Sequence, residues 1–188
     1  GITMIPTLQE LVSFTGFSNI PISSATALFD KTKRNIILHP KSNASAREWN
    51  LKNYYSLIQL LPPEQYAIFI SGTANEKIIL KDWIATLPTH VKDITGQFSL
   101  PEFISFISHA DFLVAASTGP LHIAAACGIG AIGIYPPIKP MHPGRWQPIG
   151  KKAQFICIDK DCNDCRKNPQ HCSCVNDITA MRVVNLIH

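Results

Sequence analysis

Two periods of apolar residues alternate along the chain. Residues 35–40 ("NIILHP"), 66–72 ("YAIFISG"), 111–117 ("DFLVAAS"), 131–137 ("AIGIYPP") and 153–158 ("AQFICI") are nearly continuous apolar runs. Such runs read as strands covered on both faces. Residues 91–96 ("VKDITG") read as a shorter strand. Between them the spacing turns helical. Residues 50–61 place Leu51, Tyr54, Tyr55, Leu57, Ile58 and Leu61 on one face, and residues 75–87 continue in the same way. Residues 100–110 follow Ser99, with Glu102 three positions on, the pattern of a capping box. Residues 118–128 form an alanine-rich helix closed by Gly128, and residues 177–187 a closing helix.

Repeated strand–helix units predict an α/β fold: a Rossmann-like, doubly wound parallel sheet with helices on both faces. Ligands of such sheets bind outside the carboxyl ends of the strands. Five loops converge there: 39–49, 71–76, 95–96, 117–122 and 136–146. Residues 1–30 fit the alternation poorly and read as one helix followed by a linker.

Composition narrows the classes. The 188 residues suffice for one sizeable domain with a continuous core, and 46% hydrophobic residues is ordinary for a globular chain. No apolar run approaches the roughly 18 residues of a membrane span. No basic patch precedes a compact apolar segment, so no signal peptide is expected. A formal charge of +4, from 17 basic and 13 acidic residues, suits an anionic ligand or surface only weakly. No basic run is interleaved with aromatics, so nucleic acid is not an expected partner.

The chemistry concentrates in the loops. In "STGPLH", Ser117 can cap the helix, leaving the amides of Thr118, Gly119 and the first turn exposed. Free amides and the positive end of the helix dipole favour a phosphate. Pro120 has no amide to lose, and His122 on the same turn can donate to that anion. The competing reading is an ordinary capped helix with a half-buried His. In "HPKSNASAREWN", Ser42 flanks a polar turn, and Lys41 and Arg47 offer charge to a diphosphate, Arg with a two-pronged grip. A solvated loop is the alternative. Glu76 can accept from ribose hydroxyls or simply complement its helix dipole. The long, Pro-rich segment 136–146 is flanked by Tyr135 and Trp146, either of which can stack on a base or pack.

Of six cysteines, Cys127 and Cys157 read as small core residues. Cys162, Cys165, Cys172 and Cys174 form C-x2-C-x6-C-x-C, with His171 as a spare ligand. Four thiolates can hold zinc, but the second pair and the short loop miss the common templates, so reduced thiols or a disulfide compete with it. No metal and no cofactor are expected.

Residues 39–61 ("HPKSNASAREWNLKNYYSLIQLL"), "ISGTANEK", "GQFSLPEFISFISHADFLVAASTGPLHIAAACG" and "IGIYPPIKPMHPGRWQPIG" resemble successive signatures of the ADP-heptose–lipopolysaccharide heptosyltransferases, glycosyltransferase family nine. The resemblance covers about residues 33–188. It implies the C-terminal, donor-binding half of a GT-B fold, with 1–32 as the end of the N-terminal domain or a linker and a Cys-rich loop at 162–174. By this resemblance Ser42 and Arg47 fall where the family contacts the donor diphosphate, and Glu76 where an acid contacts the ribose. Ser117, Thr118, Gly119 and His122 fall on its Asp-Thr-Gly-x-x-His stretch. Arg47 stands where the family has Lys, which keeps charge but changes geometry. Ser117 stands where an Asp helps hold the donor sugar, and members with other sugars exist.

The resemblance implies an inverting glycosyltransferase of lipopolysaccharide core synthesis. Its catalytic base lies on an N-terminal domain, so this chain alone is expected to be inactive. The implied partners are a nucleotide-sugar donor and, through that other domain, a lipid A–core acceptor. The implied location is the cytoplasm, with contact at the inner-membrane periphery. A stand-alone nucleotide- or anion-binding module is the alternative, and a GT-B-type sugar-nucleotide epimerase a third.

Overall fold

The computed structural model describes residues 27–43, 45–139, 141–159 and 173–187. Along the chain run β1 (Arg34–His39), α1 (Leu51–Leu60), β2 (Tyr66–Ile70), α2 (Ala74–Ile84), β3 (Lys92–Asp93), α3 (Leu100–Ser108) and β4 (Phe112–Ala116). Then come α4 (Gly119–Ala126), β5 (Gly130–Tyr135), α5 (Pro143–Trp146), β6 (Ala153–Cys157), α6 (Ser173–Asn176) and α7 (Ala180–Val184). The six strands form one sheet in the order β3-β2-β1-β4-β5-β6, every pair parallel. This is the doubly wound Rossmann order.

Strand alternation divides the core into two layers. Ile36, Leu38, Ile68, Ile70, Val114, Ile132 and Ile134 face α1 and the C-terminal segment. Ile37, Phe69, Leu113, Ala115 and Ala131 face α3 and α4. Phe29 joins the second layer, stacked on Phe106 at 4.4 Å between ring centroids. The expected helix N-termini form as the local chemistry dictates. Asn50 caps α1 by accepting from the Asn53 amide (2.7 Å), and Thr73 with Glu76 and Ser99 with Glu102 make reciprocal capping boxes.

Two expectations need correction. Thr118, not Ser117, occupies the cap position of α4. The closing helix expected over 177–187 shrinks to α7 (Ala180–Val184), with Thr179 at its cap position, and the separate short helix α6 (Ser173–Asn176) precedes it. The break has a physical reason. The Ile178 carbonyl turns out of any helical ladder to accept from the Trp49 indole (2.8 Å), and the Asn176 carbonyl accepts from the Asn53 side chain (2.8 Å). Of the cysteine cluster, Cys162, Cys165 and Cys172 lie outside the described residues, as does His171. Cys174 is buried in the first core layer.

The seat of α4 is tight. A Cβ on Gly133 of β5 would lie 2.4 Å from a Tyr135 ring carbon and 2.9 Å from a Leu121 methyl. Gly133→Ala should therefore destabilise the fold by about 1–3 kcal/mol, the usual cost of overpacking, read as a lowered denaturant midpoint. An unchanged midpoint would show that α4 does not depend on this close approach.

Candidate functional site

The β1–α1 loop supplies one wall of the site. His39, the last residue of β1, is buried and hydrogen-bonded through Nδ1 to the Ser71 hydroxyl (2.9 Å) at the end of β2. Burial holds its ring below the ordinary value of 6.5, outweighing the neighbouring Glu76 and Glu48 carboxylates, which act to raise it. Ser42 is brought to the site, but its amide donates to Glu48 Oε1 (2.8 Å). Its hydroxyl lies 3.1 Å from both that oxygen and the Ala46 carbonyl. Lys41 does not offer the free charge expected of it, because its ammonium is paired with Glu48 Oε2.

The β4–α4 turn supplies the second wall. Thr118 is buried, and its hydroxyl oxygen has no hydrogen-bond partner among the described residues. Its side chain does not cap the helix it precedes. Just beyond it, a Cβ on Gly119 would meet nothing within 4 Å, so the turn is open there. Of the first-turn amides expected to be exposed, Leu121 and His122 instead donate to the Thr118 carbonyl (3.1 and 3.4 Å), and Pro120 has none, which leaves the Gly119 amide. His122 is half-buried, and desolvation lowers its pKa, so at neutral pH it is an uncharged ring with one N–H to donate. Ser117 lies against the Tyr135 hydroxyl, which feels it as a hydrogen-bond partner.

Tyr135 does not stack on a base. It is fully buried, and its hydroxyl donates to the Trp146 carbonyl, tying the Pro-rich loop to the sheet. Trp146 itself remains exposed, with the Arg145 guanidinium 5.3 Å from its ring centre.

Two adjoining cavities result. The first, about 340 Å³, is lined by His39, Ser42, Ser71, Glu76, Thr118 and Gly119 on its polar side and by Ile94, Phe98, Leu100 and Phe103 on its apolar side. The second, about 280 Å³, is lined by Arg47, Ser117, Thr118, Gly119, His122, Met141 and Trp146. Thr118, Gly119 and Ser45 border both. All seven candidates from the sequence thus meet at one place. Glu76 sits there with one oxygen engaged, since Oε2 accepts from the Thr73 amide (2.7 Å) and hydroxyl (3.1 Å). Among the described residues no group of three or more His, Cys, Asp or Glu is arranged to hold a metal.

Sequence reasoning named the loops holding His39, Ser71 and Glu48 without singling these residues out. The signal for His39 was a polar residue ending an otherwise apolar strand. That for Glu48 was an acid next to a cation in a loop read as anion-binding. The aromatic floor of Phe98 and Phe103 left no local signal, because it comes from the β3–α3 segment.

A sheet of this order, with a helix N-terminus where its strand order reverses, defines a doubly wound, Rossmann-like α/β domain. The chain belongs to glycosyltransferase family 9 (heptosyltransferase), whose family model matches residues 14–176. A Haemophilus influenzae protein carrying a glycosyltransferase name is 31% identical over 130 residues, which is 67% of this chain and 37% of that relative. The Escherichia coli ADP-heptose lipopolysaccharide heptosyltransferase II structure superposes with a TM-score of 0.71 at 21% identity, covering 88% of this chain and 49% of that one. The E. coli heptosyltransferase WaaC, solved with ADP, superposes at 0.65 and 21%, covering 86% and 46%. The likeness to both structures is one of fold. The chain spans between a third and a half of the length of these proteins.

The two depressed histidines make stability depend on acid. Both rings protonate more readily in the unfolded chain, so the native state is favoured above about pH 6.5 and loses stability as pH falls through and below that value. Melting temperature should drop between about pH 7 and about pH 5.5, and drop less in His39→Gln, which lacks the titrating ring. Equal acid sensitivity in the two proteins would remove His39 as a source.

Proposed function

We propose that this chain is the donor-binding domain, the C-terminal half of a GT-B fold, of an inverting glycosyltransferase that builds the lipopolysaccharide core. The donor is a nucleotide-sugar of the ADP-heptose kind. The observation that carries this reading is the junction of the two cavities. There the open Gly119 turn at the N-terminus of α4 and the Thr118 hydroxyl, unpartnered among the described residues, adjoin Arg47 and His122. An anion at this place gains backbone donors, a helix dipole, a guanidinium and a neutral N–H together.

The rest of the donor follows from the cavities on either side. The first, with its aromatic floor, suits a nucleoside, and the second oxygen of Glu76 suits its ribose. The second, with Ser117, His122 and Trp146, suits the sugar. In transfer, negative charge grows on the departing diphosphate as the bond to the anomeric carbon breaks. Donors already fixed around it stabilise that charge without reorganising. The base that takes the acceptor's proton, and the lipid A–core acceptor itself, belong to the other domain of such an enzyme. The reaction is assigned to the cytoplasmic side of the inner membrane. No described helix is long and apolar enough to cross a membrane.

Titration calorimetry with ADP tests this reading. ADP should bind the chain, and Arg47→Ala should cost about 1.5–3 kcal/mol, the range for hydrogen bonds to a charged group. Gly119→Ala should fold with unimpaired stability, since its methyl meets no protein atom, yet weaken ADP by filling the open space at the turn. No binding by the parent, or binding indifferent to both substitutions, would refute the assignment.

A further inference from the structure

One carboxylate beside the site has so far no role. Glu48 follows Arg47 directly and folds back over its own loop. Its Oε1 accepts from the Ser42 amide (2.8 Å), and its Oε2 pairs with Lys41. Inside the ring so closed, the Ser45 amide and hydroxyl donate to the Ser42 carbonyl (2.9 and 2.6 Å). Asn43 takes the left-handed conformation the tight turn requires (φ 47°). The far end is anchored as well. Trp49 is buried, with its indole bonded to the Ile178 carbonyl. Arg47 therefore sits on a short stretch of backbone pinned by Glu48 and Trp49 on one side and by Ala46 on the other.

A bare carboxylate beside a cation meant for a diphosphate would oppose the anion. Here Lys41 offsets that charge, and Glu48 is left to shape the loop. We propose that Glu48 is a positioning residue. By latching Ser42 and Lys41 it closes loop 41–48, so that Arg47 is presented across the cavity from Thr118 and Gly119. Ser42 then acts mainly as the other half of the latch. This inference rests on the donor-binding reading.

ADP titration and amide hydrogen exchange on the full chain test it, with Glu48→Ala, Glu48→Asp and Glu48→Gln. Ala removes the latch, Asp keeps the charge but falls short, and Gln keeps an oxygen for the Ser42 amide without the charge. Ala and Asp should each weaken ADP about ten-fold, as expected for losing one hydrogen bond to a charged group, and speed exchange at Ser42. Gln should stay within about three-fold of the parent and keep Ser42 protected. Sheet amides of β1 and β4 should be unchanged, separating a loosened loop from a damaged fold. Should the Ala variant lose them, the Asp and Gln pair decides. Parent-like or tighter ADP binding in Ala and Asp would overturn the role and mark the carboxylate as a mere opponent of the anion. A parent that does not bind ADP would instead refute the donor-binding reading, and this role with it.

Discussion

Everything at the carboxyl edge of the sheet depends on β1 and β4 lying side by side while their connections leave toward opposite faces. Parallel pairing sets Leu38 opposite Val114 and His39 opposite Ala115, so the two strands end at the same level. The chain after β1 then turns toward α1 in one layer, and the chain after β4 toward α4 in the other. A gap lies between these diverging connections. The gap is the crevice in which doubly wound sheets hold ligands, and both cavities open from it.

The crevice proposed to take the anion carries little net charge. Lys41 is compensated by Glu48, and desolvation keeps His122 neutral. The crevice is also lined by Arg47, a helix N-terminus and a buried Thr118 hydroxyl with no hydrogen-bond partner among the described residues. Under the proposed function, fixed dipoles of this kind would need no reorganisation as charge grows on a leaving diphosphate. On the same proposal the apolar floor of the first cavity, with Phe98 and Phe103, would take the flat heterocycle, which gains from shedding water there.

The loops that form the crevice are held from a distance. The Ile178 and Asn176 carbonyls fasten the end of the β1–α1 loop through Trp49 and Asn53. Tyr135 fastens the Pro-rich loop through the Trp146 carbonyl. Each bond joins a side chain at least partly buried to a distant backbone carbonyl, and so ties the site loops to the fold.

Fold class and the gathering of the seven candidate residues were legible in the sequence, because they rest on local patterns. Apolar runs of strand length alternating with helical periods imply a parallel sheet, and a parallel sheet sends all its post-strand loops to one edge. What the sequence did not carry were contacts between residues far apart along it. The break at Ile178 follows from the need of Trp49, 129 positions earlier, for a hydrogen bond. Tyr135 was readable as a base-stacking ring until packing under α4 buried it and gave its hydroxyl a carbonyl to hold. Ser117 and Thr118 were equally good caps by residue type, and the backbone leaving β4 decided between them. Glu48 was not singled out within a loop whose alternative reading was a solvated one. Only the folded loop, bringing Lys41 and Ser42 within its reach, made it a latch. Short-range periodicity sets which elements form, while the partner of a buried polar group depends on which distant segment packs beside it.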